Sequence, residues 1–279
     1  MPATHSKPTI NYGHPLGKGL LAWWLGEPDV ISPQSQTWRD LTGRVNARKG
    51  TNSPPSGDGA LMASNWNPLR GNKPVYKSTG NWDLRTDFNP LSATTQFTLS
   101  MWYKKRLTSS GIGLGSTEGS YISAVGIGVV SSVTYLYCST GGAGIYGGFS
   151  DAQTNWTHII YSYNGACATN ATRMVCYKNG AAQTLSITGT VPSVTRTFSN
   201  ATNSYLNLFS LAGVSTTDGC VDSIFVWNRA LSATEMKLCY DNSLLNFPGL
   251  ISNPISVAVK SATAAGNRRR RALLCGAAN

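Results

Sequence analysis

The 279-residue sequence predicts an all-β fold, a two-sheet antiparallel sandwich with one short helix near the C-terminal end of the domain. Three observations predict it. Charged residues make up only 13% of the chain while Gly, Ser, Thr and Asn abound, a composition of short strands and tight turns rather than of helices. From Phe97 onward, apolar and polar residues alternate with period two in one run after another. No long helical pattern separates these runs, which argues against a parallel α/β sheet. A single sandwich accommodates roughly 200–250 residues. The expected organisation is therefore an extended N-terminal arm over 1–18, the sandwich over 19–245 and a basic C-terminal arm over 246–279.

In chain order, residues 1–18 are polar and carry Pro2, Pro8 and Pro15, which reads as an extended arm. The apolar run 20–25 is the first strand. Residues 26–96, rich in Pro, Gly, Asn and Trp, read as long loops with a few short strands, and loops of that length commonly serve interactions. Phe97, Leu99, Met101 and Tyr103 alternate with Thr98, Ser100 and Trp102 in the next strand. Further strands read at 121–130, 133–138, 156–163, 173–178, 183–188, 205–211 and 220–227. Asn179-Gly180 lies between two of them and favours a type I′ hairpin, whose central residues both take positive φ. Ser232-Ala-Thr-Glu235 is a capping box for a short helix that ends near Asn242. After Pro248 and Pro254 the periodicity is lost.

The net charge of +11 is unevenly spread, because Lys260, Arg268, Arg269, Arg270 and Arg271 cluster in a tail with no Asp or Glu after Asp241. Those four arginines are the candidate assembly contacts, suited to an acidic partner surface. The first twenty residues hold no apolar leader core, and no run approaches the ~18 apolar residues of a membrane span. The expectation is a protein made in the cytoplasm without a signal peptide and without a membrane partner. Cys138, Cys167, Cys176, Cys220, Cys239 and Cys275 form no C-x-x-C pair, and His5, His14 and His158 are scattered, so no zinc site is expected. The cysteines read as small buried hydrophobes, with Cys167 and Cys176 flanking a short connection.

Nor does the sequence offer catalytic machinery. Glycoside hydrolysis needs two carboxylates about 5–10 Å apart. The glutamates are Glu27, Glu118 and Glu235, and the last is engaged in the cap. No G-x-S-x-G elbow occurs, and the glycine runs at 13–18 and 111–116 each miss a residue that a nucleotide-binding loop requires. No enzyme is expected.

The stretch Gly219-Cys-Val-Asp222-Ser-Ile-Phe-Val-Trp227-Asn228-Arg229-Ala-Leu-Ser232-Ala-Thr-Glu235-Met resembles the last strand and following helix of laminin-G-like, concanavalin A-like jelly rolls. Phe97-Thr-Leu-Ser-Met-Trp102, Trp156-Thr-His158-Ile with Tyr163-Asn-Gly165, and Tyr177-Lys-Asn179-Gly180 are similar to its internal strands and hairpin. Gly19-Leu-Leu-Ala-Trp23-Trp24 and Asp40-Leu-Thr-Gly43-Arg-Val-Asn46 are similar to its opening segments, so the resemblance spans residues 19–241. It implies buried roles for Trp23, Trp24, Trp102, Trp156 and Trp227, and a helix turn held by Asn228 and Arg229. Many members bind sugars, proteins or a structural calcium ion. Asp222 is the family position suited to calcium, with Asp40 and Glu27 as the nearest opening-segment carboxylates. The family's second acid is Ser223 here. No other cofactor is expected.

Three functions from different classes follow. The first is a bacteriophage virion structural protein, a capsid decoration or tail and adhesion protein held in the assembly by its arms. The opening Asn11-Tyr-Gly-His-Pro-Leu16 followed by Gly19-Leu and Trp23-Trp24 is similar to that of proteins encoded by phages and prophages. Its partners would be other virion proteins and further copies of itself. The second is a carbohydrate-binding lectin module for host or glycan adhesion, with Trp38, Trp66, Tyr76 and Trp82 as the stacking residues among amides such as Asn65 and Asn67. The third is nucleic-acid binding through Arg268 to Arg271. No aromatic residue is interleaved with that run, so nucleic acid is not the expected partner.

Overall fold

The computed structural model describes residues 9–25, 31–32, 37–49, 65–67, 73–80, 84–86, 89–105, 111–116, 124–139, 144–198, 205–208, 217–245 and 247–251. A 3-10 turn at Pro15–Gly17 precedes strands β1 (Leu20–Trp24), β2 (Ile31–Ser32), β3 (Thr37–Trp38), β4 (Ala47–Lys49), β5 (Asn65–Asn67), β6 (Lys73–Gly80) and β7 (Leu84–Thr86). The alternating region supplies β8 (Gln96–Lys105), β9 (Ile112–Ser116), β10 (Val125–Val130), β11 (Val133–Cys138), β12 (Tyr146–Ser150) and β13 (Thr157–Asn164). Helix α1 (Asn170–Arg173), β14 (Met174–Lys178), β15 (Ala181–Gln183), β16 (Ser186–Thr188), β17 (Thr217–Trp227) and helix α2 (Ala233–Leu244) complete the order.

The strands form two antiparallel sheets, and the fold is the expected jelly-roll sandwich. The first sheet runs β15-β14-β13-β8-β17-β6-β5, with β1 also on β17. The second runs β16-β12-β11-β10-β9 and continues as β7-β4-β3-β2. Asn207 joins its two parts. It exchanges backbone hydrogen bonds with Gly115 at 3.0 and 2.8 Å and bridges Arg85 on the other side, while Thr86 N donates to Leu206 O at 3.1 Å. Of the strand expected at 205–211, residues 205–208 supply this bridge and the rest lies outside the described residues.

Period-two alternation decides the inner faces. Phe97, Leu99, Met101 and Tyr103 of β8 lie level with Tyr163, Tyr161, Ile159 and Thr157 of β13. Phe97 packs between Tyr161 and Tyr163, with ring centroids 5.1 and 5.2 Å away. Across the core, Ile127, Leu136 and Cys138 face them from the second sheet and are fully buried. The sheets close tightly at Gly147, where a Cβ would stand 2.9 Å from Met174 Sδ.

The outer face of the first sheet is buried as well. Thr98, Ser100, Trp102, His158 and Trp227 are inaccessible because α2 and two terminal segments cover them. Trp102 Nε1 donates to Ser243 Oγ at 2.9 Å, and Trp227 Nε1 donates to Leu16 O at 2.7 Å. Phe225 stacks on Trp23 at 4.7 Å and meets Phe247 at the same distance. Residues 9–18 and 247–251, read from sequence as parts of the arms, are therefore packed onto the body. They pair with each other through the Ile10–Ile251 bridge and the bond from Asn11 N to Leu250 O, 2.8 Å.

Several local expectations hold. Asn179 and Gly180 take φ of 49° and 77° in the hairpin between β14 and β15. Ser232 and Glu235 form the reciprocal cap of α2. One expectation is corrected: the run 183–188 is not a single strand. Ala181–Gln183 pairs with β14 in the first sheet and Ser186–Thr188 pairs with β12 in the second, so the chain crosses between sheets there. In β17 the pairing with β8 breaks between Asp222 and Phe225, where Ser223 takes φ 47°. This bulge lies where the neighbour on β17's other side changes from β6 to β1.

Candidate functional site

Of the residues expected to stack on sugars, Trp38 is fully buried and its Nε1 donates to Leu25 O at 2.7 Å. It is a core residue and presents no ring to a ligand. Trp66 lies in β5 and Tyr76 in β6. Trp82, Glu27 and Arg268 to Arg271 lie outside the described residues.

Asp40 organises the turn after β3. Its Oδ1 accepts from Trp23 N (2.8 Å) and Thr42 N (3.0 Å), and its Oδ2 accepts from Thr42 Oγ1 (2.5 Å), Arg44 N (3.0 Å) and Val45 N (3.0 Å). Five converging donors fill the lone pairs that a calcium ion would use. Asp222 is fully buried beside the β17 bulge and accepts from Ser223 Oγ at 3.3 Å. Among the described residues, no three His, Cys, Asp or Glu side chains come together as a metal site.

Two buried clusters carry the remaining chemistry. Beneath α2, Ser100 Oγ lies 2.8 Å from His158 Nε2 and 3.9 Å from Cys239 Sγ. The His158 ring packs against both Trp102 (5.1 Å) and Tyr240 (5.6 Å), which stack on each other at 5.8 Å. Ser100 and His158 are both fully buried, so this serine–histidine contact is closed to substrate. Burial pushes the Cys239 thiol up to about 12, only partly countered by its bond to Ser100.

The second cluster lies between the sheets. Asp151 Oδ2 accepts from Tyr103 and from Thr134 Oγ1, and Oδ1 pairs with Lys178 Nζ at 2.8 Å. Lys105, fully buried, donates to Ser131 O at 2.6 Å and Asp151 O at 2.8 Å. Burial alone would raise the Asp151 pKa, but the bonds from Lys178 and Tyr103, the Lys178 charge and Thr134 outweigh it and hold the carboxyl below its ordinary range. Burial lowers the Lys105 pKa against the pull of Asp151. These groups tie β8, β12 and β14 together.

The outer face of the second sheet differs from everything above. Tyr135 and Tyr137 alternate with the core residues Thr134, Leu136 and Cys138, and Tyr146 lies opposite Tyr137. The three rings form one cluster, Tyr135–Tyr137 at 5.9 Å, Tyr135–Tyr146 at 5.5 Å edge-on and Tyr137–Tyr146 at 6.2 Å. Tyr135 and Tyr146 are half-buried, and Tyr137 is 7% exposed. On the neighbouring strands this face carries Gly126, Gly128, Gly113 and Gly115 on one side. On the other it carries Gly148 and the exposed Ser186 and Thr188. The sequence reading missed this cluster. Its signal was available: T-Y-L-Y-C places large residues on both faces of a strand beside the glycine alternation of V-G-I-G-V.

Residues 78–237 match the family model of the concanavalin A-like lectin/glucanases superfamily (Laminin_G_3), more than half of the chain. The chain belongs to this superfamily. No curated protein matches it. Among solved structures, this superfamily member is similar to the binding domain of botulinum neurotoxin DC in complex with rat synaptotagmin II, at 12% identity and TM-score 0.55. The match covers 82% of this chain and 52% of that one. A botulinum neurotoxin type C structure, whose cell entry depends on interaction with two ganglioside molecules, matches at 15% identity and TM-score 0.54, covering 82% of this chain and 52% of that chain. Trypanosoma rangeli sialidase matches at 14% identity and TM-score 0.49, covering 80% of this chain and 33% of that chain. The chain thus spans about a third of the sialidase and about half of the toxin domains. Likenesses at these identities show the fold, and catalytic and non-catalytic proteins share it.

Proposed function

We propose that this chain is a non-enzymatic, lectin-like structural protein of a bacteriophage virion. It would be a capsid decoration or tail and adhesion protein, anchored at one face and displaying the other. The observation that carries this reading is the Ile10–Ile251 bridge, which brings the two boundaries of the described body side by side. That pair lies with α2 over the outer face of the first sheet, and the tyrosine cluster lies on the outer face of the second. Contacts with other virion proteins, or with further copies of the chain, would therefore be made from the bridged side through residues that precede 9 and follow 251, including Arg268 to Arg271. The tyrosine face would be left pointing away, toward host glycans.

The phage-like opening motif has a physical role in this arrangement. Asn11 Nδ2 donates to Gly249 O at 3.0 Å, His14 Nδ1 accepts from Leu16 N at 3.2 Å, and Leu16 O receives the Trp227 indole at 2.7 Å. The motif thus builds the anchor side of the body. Among the described residues, the closed Ser100–His158 contact and the engagement of Glu235 with Arg229 at 2.8 and 2.9 Å support the non-enzymatic part of this reading.

Mass spectrometry of purified particles tests the reading. Many copies per particle are expected, and deletion of residues 260–279 should lower retention on particles while leaving the melting temperature unchanged. Absence of the protein from purified particles overturns it.

A further inference from the structure

We infer that the tyrosine face of the second sheet, centred on Tyr135 and Tyr146, is a binding site for an uncharged saccharide. The inference rests on reading the chain as a binding domain and names the site and ligand class within it.

The rings come first. Tyr135 and Tyr146 are half-buried, so each is held by the protein and still open to a ligand. They stand edge-on at 5.5 Å, braced by Tyr137 behind them. A tyrosine fixed in this way offers an apolar face and a hydroxyl tip at little cost in side-chain entropy. A pyranose ring has the matching surface, with C–H faces that lie on aromatic rings and a rim of hydroxyls. Hydroxyl partners lie one strand away: Thr188 pairs with Tyr146 and Ser186 with Gly148, and both are exposed.

Charge selects the class. On the five strands β16-β12-β11-β10-β9 the described residues of this face are Gly113, Gly115, Gly126, Gly128, Val130, Val133, Tyr135, Tyr137, Tyr146, Gly148, Ser150, Ser186 and Thr188, and none is ionised at neutral pH. The Arg85 guanidinium on the same face lies beyond Asn207 on β7, held over the Tyr205 ring at 4.2 Å. A carboxylated or sulfated sugar would lose its hydration there without gaining a cation. The ligands of the toxin domains are no guide to this surface, because the choice is made by this chain's own side chains. Position adds support, since the face lies opposite the side on which residues 10 and 251 are bridged.

The test is an array of neutral, sialylated and sulfated glycans probed with the full chain, followed by titration of the best neutral oligosaccharide. Binding to neutral glycans is expected, with little change between low and physiological salt. Tyr135→Ala and Tyr146→Ala should each weaken it about tenfold or more, as for aromatic hot spots. Tyr135→Phe keeps the ring and should stay within about threefold, and melting curves of the alanine variants themselves guard against misfolding. Val194→Ser, at an exposed residue, is the unchanged control. Neutral-glycan binding that survives both alanine substitutions overturns the site but leaves the lectin reading standing. Binding confined to sialylated or sulfated glycans overturns the ligand class. No binding by the intact chain overturns the site together with its role in adhesion, and particle mass spectrometry then judges the virion reading separately.

Discussion

The Arg229–Glu235 pair should make the fold acid-sensitive over a defined range. Arg229 Nη1 and Nη2 donate to the two Glu235 oxygens at 2.9 and 2.8 Å, and Nε and Nη2 reach Lys18 O and Pro15 O, both at 2.8 Å. Ser232 N donates to the same carboxylate at 2.9 Å. The Arg229 hydrogen bonds, helped by Ser232 and the guanidinium charge, outweigh burial and lower the Glu235 carboxyl from 4.5 to about 2. If the unfolded chain titrates at the ordinary 4.5, the difference contributes about 3 kcal/mol at neutral pH. The folded value is the lower one. The contribution is therefore complete above the unfolded pKa, declines as pH falls below 4.5 and is gone once pH passes about 2. Glu235→Gln should cost about 2–3 kcal/mol at neutral pH, read by urea unfolding with tryptophan fluorescence. The gap between wild type and variant should shrink to about 1 kcal/mol or less near the folded pKa, because the protonated carboxyl and the amide then bond Arg229 alike. Arg229→Lys should itself lose stability despite keeping the charge, since one ammonium cannot reach four acceptors on two sides. A gap that stays constant from neutral pH down to the folded pKa refutes this reasoning.

Four further outcomes are expected. Gly180→Ala places a Cβ 2.7 Å from Tyr240 Cδ1 at a residue with φ 77°, and chemical denaturation should show a loss of about 1–3 kcal/mol. Asp40→Asn removes charged acceptors from a turn that uses both oxygens and should cost about 2 kcal/mol; wild-type melting curves in calcium and in EDTA should coincide, and a rise of several degrees with calcium would assign the carboxylate to a metal instead. Asp151→Ala takes the acceptor from Lys178, Tyr103 and Thr134 and the compensating charge from buried Lys105, whose own bonds go to main-chain oxygens, and should destabilise by about 3–5 kcal/mol, with urea midpoints as the measure. Cys138 and Cys239, buried and with thiols pushed up to about 12, should resist iodoacetamide in the folded protein and react on unfolding, as peptide mass mapping will show.

The elements legible in sequence were those whose cause is local. Alternation from Phe97 to Tyr103, positive φ at Asn179-Gly180 and the reciprocal cap of Ser232 and Glu235 each depend on neighbours a few residues away. The order of motifs around Asp222 to Glu235 was likewise enough to place the chain among concanavalin A-like jelly rolls. The candidate site was not legible in the same way. Trp38 was expected on a loop surface, yet it is buried by its bond to Leu25 and the packing around it. Trp102 and Tyr135 look alike in sequence, each an aromatic residue on the face of a strand opposite the core. Trp102 is sealed by Ser243, 141 residues away, and Trp227 by Leu16, 211 residues away. Tyr135 has its ring partners in Tyr137 and Tyr146 and stays half-buried. Which outward face is covered and which is left open is decided by segments that meet only when the chain closes, and a two-residue period carries no record of them.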